Sequence, residues 1–183
     1  MSAWLLLVSI FQVVVTQPLP IIIDTDIGDD FDDSWALAAA VSRPDLWDVK
    51  MVLTAAKNTE RRAQIVAKYL MLYNRTDIPI GIGVHTSDSI GSLYPWASHV
   101  DLDAYVGGGG IVHRDGLKAA AALLLGEVEP PPYFVAIAPE SNFAALTATY
   151  PAAVARVPRI YSMFGGVDFC YGHRPVANIT AGC

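Results

Sequence analysis

At 183 residues the chain is long enough for one substantial core but not two. Its composition, 53% apolar and 16% charged, excludes intrinsic disorder as the main state. A net charge of -6, with no cationic run beyond Arg61-Arg62, leaves no electrostatic footprint for a phosphate backbone and excludes nucleic acid as the partner.

The chain opens on Trp4 to Val15, an apolar run of about a dozen residues. It is too short for the ~20 residues of a membrane span and matches the apolar core of a secretory signal peptide. Residues 1–16 are therefore expected to be a leader, residues 17–183 one domain, and the protein secreted. The alternative is a buried first strand, because Met1-Ser2-Ala3 carries no basic side chain.

After the leader, Ile21-Ile22-Ile23 is a β-branched run that reads as a buried parallel strand. Ser34 to Val41 is rich in Ala and Leu and predicts a helix. The alternation continues with a strand over Val49 to Thr54, a helix over Glu60 to Leu72 and a strand over Ile78 to Ile82. Asn74-Arg75-Thr76 is an N-glycosylation sequon expected in a surface loop. Ser87 to Gly110 reads as a long surface excursion, the length of a lid or substrate loop, with Gly107 to Gly110 as a hinge and His113 just beyond. The four glycines make no phosphate cradle, since no Lys-Ser/Thr follows. A helix over Gly116 to Leu125, a strand over Tyr133 to Ala138, a short helix over Phe143 to Ala148 and a strand over Arg159 to Met163 complete the pattern. Such alternation predicts an α/β fold: a Rossmann-like, open, mostly parallel sheet with helices on both faces and ligands outside the carboxyl ends of its strands. Cys170 and Cys183 are too few for a disulfide scaffold or a thiolate zinc site, and can pair with each other or with residues outside this sequence.

The chemistry concentrates where the first strand ends. Asp24-Thr25-Asp26-Ile27-Gly28-Asp29-Asp30-Phe31-Asp32-Asp33 places six carboxylates in ten positions. So much like charge calls for compensation, and a hard dication bound by carboxylates, carbonyls and water supplies it. A solvated acidic helix cap is the simpler alternative. An EF-hand starting at Asp24 fails, because Asp29 stands where the loop needs Gly and Trp35 where it needs Glu. The aspartyl-phosphate loop of haloacid-dehalogenase-type phosphatases, with magnesium, accounts for Asp24-Thr25-Asp26 but leaves Asp32-Asp33 unexplained.

The string IIIDTDIGDDFDDSWAL resembles the N-terminal signature of the inosine-uridine-preferring nucleoside hydrolases, a strand followed by Asp-Thr-Asp-Pro-Gly, one residue, Asp-Asp and a helix. Two departures stand out: Ile27 replaces proline, and two additional residues precede Asp32-Asp33. Val52 to Asn58, Ile78 to Gly83, Ala138 to Asn142, Met163 to Gly166 and Asn178-Ile179-Thr180 resemble later family segments in order and spacing. The resemblance runs from Ile21 to Cys183 and stops about where a family Glu-aromatic-Asn segment would follow, so the chain is expected to be an N-terminal portion of the family domain, with the C-terminal part missing.

The resemblance implies calcium-dependent hydrolysis of the N-glycosidic bond of ribonucleosides to free base and ribose. By that likeness Asp26 is calcium ligand and general base, Asp33 a ligand, Ser141 a ligand through its carbonyl, and Asp24 an orienting group behind them. Asp32, Asn58 and Asn178 are the implied ribose contacts, and a homodimer or homotetramer is the implied assembly. Duller roles stand beside these: Asn58 as a helix cap, Asn178 as a turn or glycosylated residue, and His113, which could approach the leaving group, as a solvated loop histidine. A truncated chain that binds calcium or ribose without catalysis is the alternative function.

Overall fold

A computed structural model describes residues 17–126 and 129–163, together with the backbone of two short paired strands, Phe169–Cys170 and Arg174–Pro175. Residues 1–16, Asn178 and Cys183 lie outside the described residues, as does the Cys170 side chain. The signal-peptide, second-sequon and cysteine-pairing expectations fall there.

Six parallel strands form an open sheet: β1 (Leu19–Thr25), β2 (Trp47–Thr54), β3 (Ile80–Ile82), β4 (Val112–His113), β5 (Tyr133–Ala136) and β6 (Ile160–Ser162), in the order β4-β3-β2-β1-β5-β6. The strand order reverses at β1, which pairs β2 on one side and β5 on the other. In open α/β sheets such a switch point is where a crevice opens outside the strand ends. Pro20 is tolerated in this central strand because pairing with β5 begins only at Ile21, so no neighbour needs its missing N–H there.

Alternation along the strands divides the core. Ile21, Ile23, Val49 and Val52 pack under α1 (Asp32–Ser42) and α2 (Thr59–Leu72), while Ile22, Met51, Leu53 and Phe134 pack under α4 (Gly116–Leu125), α5 (Ser141–Thr149) and α6 (Pro151–Val154). Period-two side chains thus feed two apolar layers, which explains the near-continuous hydrophobic strands. Among the described residues, no helix is long and apolar enough to cross a membrane. Asn74 is exposed at the end of α2, with a positive φ of 53°.

The excursion departs from expectation. It carries a 3-10 turn (Tyr94–Trp96) and helix α3 (Leu102–Gly107), and it buries Ala97, Val100, Leu102 and Tyr105 in the core. Polar ties to α2 anchor it: Gln64 Nε2 donates to the Val100 carbonyl at 2.6 Å, and the Tyr94 hydroxyl donates to Gln64 Oε1 at 2.9 Å. The glycine run terminates α3 instead of forming a free hinge. The amides of Gly108, Gly109 and Gly110 turn back onto carbonyls of Ala104, Val106 and Tyr105, and Gly109 takes the left-handed conformation that such helix ends favour. His113 lies in edge strand β4, paired with Gly81, and not in a loop.

Candidate active site

Strand β1 delivers Asp24 into the sheet and Asp26 just past its end. Asp24 is fully buried; its Oδ1 accepts a 2.7 Å hydrogen bond from Asn142 Nδ2, and its Oδ2 has no partner among the described residues. Burial pushes this carboxyl up to about 8, against the hydrogen bond from Asn142. Asn142, equally buried, also donates to the Thr54 carbonyl at 3.0 Å and accepts from the Val84 amide at 2.7 Å. One side chain on α5 therefore joins the ends of β1, β2 and β3.

The turn after β1 folds on itself. Thr25 Oγ1 accepts from the Ile27 amide at 3.1 Å and donates to Asp33 Oδ1 at 2.6 Å, tying the strand end to the first turn of α1. Asp32 Oδ1 accepts from the Asp33 amide at 2.9 Å, and both acids stand at the positive end of the α1 dipole. Burial raises Asp33 to about 7, partly offset by the Thr25 hydroxyl. Asp26, half-buried, is also raised by burial, with the charge of Arg62 opposing and that of Asp29 adding, and the neighbouring Asp33 side chain lowering it slightly. Asp30 is raised by its hydrogen bond to Asp32, and Asp32 is lowered by the same bond.

Carboxylate oxygens of Asp30, Asp32 and Asp33 lie within 4.8 Å of one another. Converging hard oxygens, a carboxyl neighbour on Asp26 and a buried carboxylate oxygen on Asp24 without a partner fit a dication, which would favour the ionised forms that burial now penalises. The structure thus brings Asp33 together with Asp26 and Asp32 from the sequence-predicted set and adds Asp30, which the sequence reading did not single out. Ser141 opens α5 beside Asn142, its amide turned to the Pro139 carbonyl at 2.6 Å. Asn58 caps α2, its Oδ1 accepting from the Arg61 amide at 3.1 Å. The excursion reaches the acidic turn, where the Leu93 amide donates to the Gly28 carbonyl at 3.1 Å, and the turn after β2, where the Asn58 amide donates to the Ser89 carbonyl at 3.1 Å.

Two further residues escaped the sequence reading. Asn142 lay inside a quoted segment but carried no assigned role. Arg62 is fully buried, its guanidinium on the carbonyls of Asp26, Ile27 and Ala56 and on the Asp29 carboxylate. Its signal was legible: Arg62 falls on the same helical stripe as Ile65, Val66 and Tyr69, the face that packs on the sheet.

An open parallel sheet with an acidic turn at its switch point defines a class of α/β fold, and comparison with known proteins narrows it. The family model for inosine-uridine preferring nucleoside hydrolases matches residues 21–181, and the chain belongs to that family. It is similar to the pyrimidine-specific ribonucleoside hydrolase RihA of Escherichia coli O127:H6 (strain E2348/69 / EPEC), with 29% identity over 163 residues, covering 81% of this chain and 49% of the relative. Among solved structures, the plant nucleoside hydrolase PpNRh1 superposes with a TM-score of 0.66 at 22% identity, covering 86% of this chain and 52% of that one. An inosine-guanosine nucleoside hydrolase superposes with a TM-score of 0.57 at 21% identity, covering 80% of this chain and 49% of that one. The chain spans about half the length of the relatives it matches.

Proposed function

We propose that this chain carries the metal- and ribose-binding half of a nucleoside hydrolase that cleaves ribonucleosides to free base and ribose, with calcium as the metal. The observation that carries the reading is the converging trio of Asp30, Asp32 and Asp33 outside the carboxyl end of β1, with Asp26 beside Asp33, in a chain of this family. Calcium suits it because the donors are all oxygens on an irregular turn, and when bound it would orient ribose hydroxyls and supply a polarised water.

Asp33 would hold the metal, with the Thr25 hydroxyl fixing its rotamer. Asp26 has the attributes of the base: a half-buried carboxyl beside Asp33 whose proton affinity burial raises above the ordinary carboxylate value. Asp32, exposed at the rim, and Asn58, whose amide nitrogen is left over from its capping bond, would meet the ribose hydroxyls, with Asn178 joining from beyond the described residues. Ser141 would add its carbonyl. Asp24, clamped by Asn142, would orient the turn from beneath. The apolar leader supports secretion, and the family likeness supports a homodimer or homotetramer.

The test is product analysis. Uridine and inosine incubated with the protein and calcium should yield free base and ribose in equal amounts, with none in excess chelator and none from Asp26→Asn. Calcium-independent release would overturn the metal assignment. Orthophosphate from phosphate esters without ribose from nucleosides would favour a phosphatase instead.

A further inference from the structure

Opposite the carboxylate cluster, the same turn is gripped from α2 by a cationic fork. Arg62 Nη1 donates to the carbonyls of Asp26 and Ile27, the latter at 2.8 Å, Nη2 to Asp29 Oδ2 at 3.0 Å, and Nε to the Ala56 carbonyl at 3.0 Å. Lys57 Nζ reaches the same Asp29 oxygen at 2.8 Å. Both cations hold the Asp29 carboxyl below its ordinary value, although burial alone would raise it. The turn after β2 is itself fixed: Ala56 and Lys57 are consecutive left-handed residues with φ of 58° and 49°, and the Lys57 amide donates to Thr86 Oγ1 at 2.6 Å. Gly28, at φ 117°, lets the chain pass Ile65 so closely that a Cβ would stand 2.6 Å from its Cδ1.

This network turns the Asp26 and Ile27 carbonyls toward α2, while the Asp26 carboxyl is left beside Asp33. Asp29 is one of the acids in the turn, yet it faces two cations and is absent from the converging trio. We propose that Lys57, Asp29 and Arg62 form a positioning clamp, which spends one carboxylate of the turn on two cations so that the backbone presents the others in metal-binding geometry. The clamp rests on the metal-binding reading above. A planar fork on three carbonyls and a carboxylate is work that a lysine ammonium cannot reproduce, so geometry rather than charge is the prediction.

The experiment is calcium titration of the folded protein by calorimetry, comparing wild type, Arg62→Lys and Lys57→Gln, with near-ultraviolet circular dichroism to establish folding. The clamp predicts calcium affinity at least tenfold weaker in Arg62→Lys, with the charge kept. It predicts affinity threefold or more weaker in Lys57→Gln. A pure charge effect predicts the reverse for Lys57→Gln, because removing a cation beside the site tightens a dication. Lys57 is substantially exposed, so this variant decides the question should Arg62→Lys fail to fold. Unchanged or tighter binding in Lys57→Gln overturns the clamp while leaving the metal site standing. No calcium binding by wild type overturns the metal reading and the clamp together.

Discussion

Replacing Asn142 with alanine tests whether one buried amide holds three strand ends together. The substitution removes the partner of Asp24 Oδ1 at 2.7 Å and of the Val84 amide at 2.7 Å. The Thr54 carbonyl is spared, because the Gly83 amide also donates to it at 3.1 Å. A buried carboxyl oxygen and a half-buried amide are thus orphaned, at roughly 1–3 kcal/mol each, for a total of about 2–6 kcal/mol. Against a typical stability of about 5–15 kcal/mol, that is a large fraction. For a chain of this size it corresponds to a fall in Tm of roughly 5–20 °C. Urea denaturation of wild type and Asn142→Ala measures it, with Asn58→Ala as the comparison. Asn58 makes one half-exposed capping bond, so its loss should cost only about 0.5–2 kcal/mol. Asn142→Ala no more destabilised than Asn58→Ala would refute the bridging argument.

Protonation makes a second prediction. Asp24 at about 8 and Asp33 at about 7 stand above the unfolded value of 3.8, so the folded state holds protons that the unfolded state has released. Metal-free stability should therefore fall as pH rises from about 4 through 8, and the calcium-induced rise in Tm should grow over the same window. An increase in metal-free Tm across that window would contradict it. Asp33→Asn keeps an acceptor for the Thr25 hydroxyl but removes a buried charge. Its metal-free Tm at pH 8 should equal or exceed that of wild type, while the calcium gain, ~2.7 kcal/mol in wild type at a hundredfold excess over Kd, disappears. Gly28→Ala should lose about 1–3 kcal/mol in denaturant unfolding, because φ 117° and the nearby Ile65 both oppose a Cβ.

The layered fold was legible because burial on both faces writes long apolar strands, and Ala- and Leu-rich segments between them leave little else to form. Helix α4 begins and ends where its residues predict, after Asp115 and before Gly126. β4 was missed because two residues, Val112 and His113, are too few to show a period, and its place comes from pairing with β3. Helix α3 was hidden by its glycine-rich surroundings, although Asp101 caps it by accepting from the Asp103 and Ala104 amides. The acidic turn announced itself by composition alone. What composition could not supply was the division of labour among neighbouring acids: Asp29 facing cations, Asp30 joining Asp32 and Asp33, and Asp24 clamped beneath by Asn142. Those assignments depend on which helix packs over the turn, a tertiary fact.

In the function proposed above, metal and ribose meet at the turn after β1. A crystal structure of the protein grown with calcium and ribose tests it most directly. The expected result is an ion within about 2.3–2.6 Å of carboxylate oxygens from the Asp26 to Asp33 turn, Asp33 among them, with sugar hydroxyls completing its shell. A turn free of metal at saturating calcium, or an ion and sugar bound elsewhere on the sheet, would contradict it.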